Sequence, residues 1–456
     1  MKIDERLAPR QLLSKIADLW QASAPKIRSI DATYKIASGA PVFTVKGVYT
    51  SRGWTEWTQG FQFGSSLLQY DATGEREFLE TGRARTHSLM APHVSHMGVH
   101  DHGFNNVSAY GNLFRLAGEG RTTEPEWERE YCGLALRVSG AVQAHRWTGI
   151  PQGGYIYSFN GPHSLFVDTI RSLRVLAISH MLGHVLMEEN DRKVSLLERL
   201  VQHAWCTATY SIYYGEGRDV YDVRGRTAHE SIFDVNDGNY RCPNSQQGYS
   251  PFSTWTRGLA WAMLGFSELL EFLETRSEAE LQPVGGRQQV EAFMRRAALA
   301  TCDFYIANTP ADGIPYWDTG APGLLRLGDY LGRPAEPYND HEPVDSPAAA
   351  IAAQGLLRLG HYLDKNGRGT EAKRYWQAGL TVLNTLFDEP YLSRNAGHQG
   401  LILHSVYHRP NGWDHIPDGR KVPCGESSMW GDYHAREVAL YLQRVINQGR
   451  YLTFWG

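Results

Sequence analysis

Two aspartates carry the strongest chemical signal in the chain. Asp101 lies in VHDHGF, at the mouth of a segment that reads as a helix, and Asp168 lies in HSLFVDTIRSLRVL, among hydrophobic residues of another helical pattern. A carboxyl surrounded by apolar side chains resists ionising and so holds a proton near neutral pH. Two carboxyls in unlike surroundings let one site carry both an acid and a charge stabiliser. Each also has a plain structural reading. Asp101 fits an N-cap for a helix beginning near Gly103, and Asp168 fits a buried partner of Arg171 or Arg174.

Residues that grip sugars or metals surround this pair. The run 93–102, HVSHMGVHDH, holds His93, His96, His100 and His102. Clustered imidazoles suit zinc, but there is no HExxH motif, and the same residues can form a hydrogen-bonding wall. Trp57 in GWTEWTQGF offers a stacking face for a sugar, or a core contact with Phe61 one helical turn on. His229 precedes Glu230 and a turn-like DVNDGN, which also suits a surface histidine. SQQGYSPFSTWTRGLAW supplies Gln246, Gln247, Arg257 and Trp261. Arg257 and Trp261 are four apart and share a helix face, where a guanidinium beside an indole can bind a carboxylated or sulfated sugar. YWDTGAP at 316–322 and WGDYH at 430–434 place further aromatics and acids at loops or helix starts.

The elements that position these groups are mostly helical. Apolar residues recur at helical spacing in roughly twelve stretches. They fall near 8–22, 58–71, 75–90, 103–117, 125–145, 165–188, 192–213, 254–275, 288–308, 346–363, 369–387 and 432–447. LLQYDATGEREFLETG, VLMEENDRKVSLLERL and GHYLDKNGRGTEAKRYW read as helical hairpins around short polar turns. In the last helices, Asp345 and Ser346 suit N-caps ahead of Pro347. Hairpins that cannot bury their faces alone must stack. Six pairs close into an all-α (α/α)6 barrel or stack into an open solenoid, and the period fits both. Long loops at 91–102, 146–164, 226–253, 309–345 and 394–431 are rich in Gly, His and aromatics, as binding loops are.

The chain has 456 residues and no low-complexity linker, so residues 1–456 read as one catalytic domain. The net charge of −4 gives no basic field for nucleic acid. The 13 Trp and 24 Tyr favour a sugar ligand, because flat aromatic faces suit pyranose rings. The five Cys are scattered, which argues against a disulfide framework or a thiolate metal site. The N-terminus, MKIDERLAPRQLLSKIADLW, is charged and amphipathic rather than signal-like. No stretch approaches the ~20 apolar residues that span a bilayer, so a cytoplasmic protein with no membrane partner is the expectation. The sequence does not fix an oligomeric state.

Seven segments, in chain order, resemble glycoside hydrolase family 88, the unsaturated glucuronyl hydrolases. WTQGFQFG at 57–64 is similar to the family's WTxGFxxG, HDHGF at 100–104 to HDxGF, and VDTIRSL at 167–173 to IDxMMNL. QGYSPFSTWTRGLAW at 247–261 resembles QGYxxxSxWxRGQAW. DGIPYWDTGAP at 312–322, DSPAAAIAAQGLLRL at 345–359 and WGDYHAREVAL at 430–440 resemble DGxPYWDxxAP, DSSAAAIAASGLLEL and YGDYYFxEAL. The resemblance implies an (α/α)6 barrel and no metal or other cofactor. It implies a substrate carrying a terminal uronate with a C4=C5 double bond, which the enzyme hydrates. Asp168 would be the general acid/base, protonated at rest, and Asp101 its ionised partner. Trp57, His100, His229, Gln247, Arg257 and Trp261 would line the sugar pocket. Gln246 stands where the family often has His, and Arg171 and Arg174 interrupt a more apolar family helix.

Other readings of the same residues remain. They are a barrel hydrolase of saturated β-glucuronides or unsaturated rhamnogalacturonides, a metal-dependent sugar isomerase or epimerase using the 93–102 histidines, and a non-catalytic carbohydrate-binding scaffold.

Overall fold

The helices sort into two shells. In the computed structural model, which describes residues 1–53 and 56–455, the inner shell is Gln59–Thr73, 102–118, 169–181, Thr256–Glu274, Ser346–Lys365 and Met429–Ile446. Each packs on the next, and Met429–Ile446 packs back on Gln59–Thr73, which closes the ring. The outer shell is Leu13–Thr33, Arg76–Leu89, Pro125–His145, Leu196–Cys206, Arg287–Asn308 and Gly369–Leu386. The chain is an all-α (α/α)6 barrel, and ring closure decides against the open solenoid.

Side-chain pattern explains which shell a helix joins. In Ser346–Lys365, every residue from Ser346 to Gly360 is buried. A helix that is apolar or small all round must sit inside. Arg76–Leu89 buries only Phe78, Leu79, Gly82 and Thr86, the single stripe of an outer helix. Gly74, at φ 77°, ends Gln59–Thr73 and turns the chain into the outer helix, because glycine takes the left-handed cap without a Cβ penalty.

Three expected helices differ. The first extends to Thr33, running through Pro25 and burying Ile27 and Ile30 beyond it. The stretch 165–188 is split: Ser164–Phe166 is a strand paired with Glu230–Phe233, the helix starts at Thr169, and Val185–Met187 is again a strand. VLMEENDRKVSLLERL is a β-hairpin, Val185–Met187 with Lys193–Ser195, leading into Leu196–Cys206. Its turn residues Asn190 and Asp191 have φ of 59° and 57°, a conformation that Asn and Asp tolerate better than most residues. Ser195 then caps the helix, its hydroxyl accepting the Glu198 N–H at 3.2 Å. Short apolar runs such as Ser164–Phe166 are ambiguous by periodicity alone, and pairing decides them.

One close approach sets the geometry of the acidic pair. A Cβ on Gly103 would meet the Ser172 carbonyl oxygen at 1.9 Å, so the 102–106 and 169–172 helices touch backbone to backbone there. The Ser172 hydroxyl accepts the Gly103 N–H at 2.8 Å and donates to the His100 carbonyl at 3.0 Å. Among the described residues, no helix is long and apolar enough to cross a membrane.

Candidate active site

Asp101 and Asp168 each occupy the residue just before one of those touching helices, His102–Asn106 and Thr169–Ser172. Both supply backbone carbonyls to the first turn: Asp101 accepts from Phe104 and Asn105, and Asp168 from Arg171. Neither carboxylate caps its helix. The side chains are therefore free to face a common cavity of about 760 Å³, which both line with Trp57, Gln247, Arg257 and Trp261. Such a volume is typical of sites for ligands larger than one sugar. The ion-pair alternative for Asp168 does not form. Arg171 pairs with Glu268 and Glu437 at 2.8 and 3.0 Å, and Arg174 pairs with Glu437 at 3.3 Å.

His100 joins the two acids. Its Nε2 lies 3.5 Å from Asp168 Oδ1 and 3.7 Å from Asp101 Oδ1. The three side chains are almost wholly buried, and no other cation pairs with either carboxylate among the described residues. Burial works against charge on His100, but the two carboxylates outweigh it and raise its pKa. Burial pushes Asp101 up to about 6, with the charge of Asp168 acting the same way and His100 opposing. Burial also pushes Asp168 upward, but the close approach and charge of the His100 ring bring it below the ordinary value. The rise in pKa that the apolar sequence around Asp168 suggests falls on Asp101 instead. Of the pair, Asp101 keeps its proton to the higher pH.

The strand pairing at Ser164–Phe166 brings His229 to this centre, since Phe166 pairs with Glu230 and the Val167 N–H donates to the His229 carbonyl at 2.9 Å. His229 is buried, not on the surface. Its Nδ1 accepts the backbone N–H groups of Gln246 and Gln247 at 3.0 and 3.3 Å. That nitrogen carries no proton, so Nε2 carries the hydrogen. Burial lowers the His229 pKa to about 4, with Asp168 opposing, and the ring is neutral. It rests between Phe166 and Trp255, with ring centroids 4.4 and 4.8 Å away.

Arg257 does not stack on Trp261. It sits over Trp255 and Trp430, 4.7 and 5.1 Å from their centroids. Its Nη1 donates to Asp345 at 2.7 Å and to the Val406 carbonyl at 2.6 Å, and its Nη2 donates to Gln247 Oε1 at 3.2 Å and the Tyr407 carbonyl at 2.9 Å. The expected free guanidinium is a knot that ties together Gln247, the helix start at Asp345 and the 406–407 loop. Asp345, accordingly, does not cap its helix. Trp261 packs on Phe104 and His434, and Trp57 stacks on Trp430 at 5.4 Å.

The other histidines of 93–102 diverge. His93 Nδ1 accepts from the Asn105 amide at 3.0 Å, while His102 meets Ser139 and the His96 carbonyl at 2.8 and 2.9 Å. Only His100 of the four reaches the carboxylates. Among the described residues, the metal-ligand grouping found elsewhere is His87, Glu128 and Cys132, where Arg83 already holds Glu128 at 2.6 Å. Asp318 of YWDTGAP braces the Tyr249 N–H, and Asp432 of WGDYH braces Leu401, Ile402 and Tyr49.

Sequence reasoning missed Trp255, Trp430 and the segment Tyr407–Trp413, which also line the cavity. The indole nitrogens of Trp255 and Trp430, His229 Nε2, Asp101 Oδ2 and Asp168 Oδ1 are buried with no hydrogen-bond partner among the described residues. Buried polar groups are normally paired. This concentration of donors and acceptors around one cavity suits a hydroxyl-rich ligand. The sequence signals for these residues were the Trp at 255 in QGYSPFSTWTRGLAW and the aromatic content of the 394–431 loop and of WGDYH.

Known proteins resemble the chain over most of its length. No family model matches the chain. The unsaturated glucuronyl hydrolase of Bacillus sp. strain GL1 is 27% identical over 405 residues, covering 86% of this chain and 87% of that protein. The chain is a homologue of the unsaturated glucuronyl hydrolases. The solved structure of the glycosaminoglycan-degrading Bacillus sp. GL1 unsaturated glucuronyl hydrolase superposes with a TM-score of 0.69 at 22% identity, covering 94% of this chain and 97% of that one. A Streptococcus agalactiae unsaturated glucuronyl hydrolase variant, complexed with dGlcA-GalNAc6S, gives 0.63 at 18% identity, with 96% of each chain covered. These unsaturated glucuronyl hydrolase structures share the (α/α)6 fold with the chain.

Proposed function

We propose that the chain is a glycoside hydrolase that hydrates the C4=C5 double bond of a terminal unsaturated uronate on an oligosaccharide. The observation that carries this reading is one buried imidazole between two buried carboxyls on the floor of an aromatic cavity. A vinyl ether needs an acid to protonate C4, stabilisation of the cation that develops at C5 and the ring oxygen, and a base for the water that adds at C5. Asp101, the more readily protonated of the two, delivers a proton to C4. Asp168, ionised, stabilises the cationic transition state and takes the proton of the incoming water. His100 holds Asp168 ionised and limits the rise of Asp101. The product is a hemiketal at C5, which opens and releases the rest of the saccharide.

The surrounding donors support the same reading. His229 Nε2–H and the indole N–H groups of Trp255 and Trp430 suit ring hydroxyls and the uronate carboxylate. Trp57 and Trp261 offer flat faces to the ring. Arg257 acts through Gln247 and the 406–407 backbone, as a positioning residue.

The test offers lyase-generated unsaturated disaccharides beside saturated aryl β-glucuronides. Loss of alkene ultraviolet absorbance together with sugar release is expected. Aryl release from the saturated glucuronide alone would instead mark attack at the anomeric carbon and overturn the hydration reading.

A further inference from the structure

A third carboxylate lies close to the acidic pair and takes no part in the chemistry above. Glu230 is wholly buried, and it pairs across the sheet with Phe166, two residues before Asp168. Its oxygens accept from neutral groups: the Asn160 amide at 2.8 Å, the Asn244 amide at 2.6 Å and the Ser164 hydroxyl. Asn160 lines the cavity together with Asp101 and Asp168. Resting on the function proposed above, we propose that Asn160, oriented by Glu230, determines specificity for the terminal uronate: its Oδ1 accepts the hydrogen of a ring hydroxyl at C2 or C3.

The amide has one orientation. Both Glu230 oxygens accept, so the Asn160 NH2 group faces them and Oδ1 is turned away. The backbone around it is fixed as well. The Asn160 N–H donates to Ser158 Oγ at 3.1 Å, the Ser158 and Ser164 hydroxyls meet at 2.5 Å, and the chain of hydroxyls ends on Glu230. Just upstream, Arg146 donates to the Tyr157 and Ser158 carbonyls at 2.7 and 2.6 Å. An acceptor already held in place loses little freedom when a sugar binds.

Position decides which ring Asn160 meets. The preceding residue, Phe159, has its ring centroid 4.6 Å from that of His100, the imidazole between the two acids. Asn160 therefore stands beside the ring being hydrated. Chemistry decides which group it meets. A uronate linked through C1 and unsaturated between C4 and C5 keeps two hydroxyls, at C2 and C3, and its carboxylate only accepts. An amide oxygen repels that carboxylate and accepts from a hydroxyl. His229 Nε2 and the indole nitrogens of Trp255 and Trp430 are donors, so Asn160 supplies the complementary acceptor. Being neutral, it does so without placing a further negative charge against Asp101 and Asp168, which would disfavour their ionised forms.

The test follows alkene absorbance with an unsaturated disaccharide and its 2-deoxy and 3-deoxy forms, each altered on the unsaturated ring alone. In the parent enzyme, removing the hydroxyl that Asn160 reads should lower kcat/KM about tenfold, the worth of one neutral hydrogen bond. Asn160→Ala should cost about tenfold on the full disaccharide and nothing further on that deoxy form. Glu230→Gln should show the same pattern, because its new NH2 group faces two amide donors and turns Asn160 over. A merely structural loss would fall equally on all three substrates. Equal losses on the three in Asn160→Ala, or no loss on any, overturn the proposal while hydration by the parent enzyme stands. If the parent enzyme consumes the alkene of none of them, the hydration reading fails and this proposal falls with it.

Discussion

Two buried charge clusters meet at the 169–181 helix and behave in opposite ways. In the barrel core, Arg171 and Arg174 face Glu437, and Arg171 also reaches Glu268. At the cavity floor, one histidine serves two carboxylates. Burial pushes the carboxyls of both clusters upward, yet the two nearby guanidiniums bring Glu437 down to about 2, whereas Asp101 rises to about 6. Depth alone does not set the proton. The number and kind of partners does, and a histidine shared by two acids leaves one of them with a raised pKa. The first cluster holds fixed charges that serve the fold. The second holds a proton that can move.

Substitutions should separate the two. Asp101→Asn and Asp168→Asn each remove a reacting group and should lower turnover by about 10³-fold or more, near the upper range for acid–base groups. Thermal melting of both variants should match or exceed that of the parent, because a poorly compensated buried acid is removed. A large fall in melting temperature would place these residues with the structural cluster instead. Glu437→Gln should do the reverse. It leaves Arg174 without its carboxylate and Arg171 with Glu268 alone, and should cost about 3–5 kcal/mol in chemical denaturation.

Gly103→Ala tests the contact that holds the acids together. With the Ser172 carbonyl 1.9 Å from the added Cβ, the helices must part, at a cost of about 1–3 kcal/mol or more. Activity should fall further than the stability loss explains, since Asp101 and Asp168 separate. The smallest effect is on pH dependence. Turnover needs Asp101 protonated and Asp168 ionised, so kcat/KM should fall as pH rises through about 6 and fall again as pH drops through the lowered pKa of Asp168. His100→Gln removes the cation that holds both acids down, so both limbs of the bell should move to higher pH. An unmoved profile would show that His100 does not tune the pair.

The barrel was legible because its helices are long and their apolar pattern differs between shells, as Ser346–Lys365 and Arg76–Leu89 show. The short strands were not. Ser164–Phe166 and Val185–Met187 carry too few residues to display a period, and their partners lie elsewhere in the chain. The two acids stood out because Asp interrupts an apolar context. Which of them keeps the proton depends on His100 and on spatial distances that no local window contains. Arg257 and Trp261 do share a helix, but the guanidinium is claimed by Asp345, 88 residues away. Tyr407 and Trp413 were hidden because a loop shows no periodic signal that would point its side chains inward.

The stack of Trp57 on Trp430 joins Gln59–Thr73 to Met429–Ile446, the seam where the ring closes. Two indoles from opposite ends of the polypeptide become neighbours only when that seam shuts. Their exciton coupling and quenching therefore offer an optical clock for barrel assembly, and regained turnover should keep time with it.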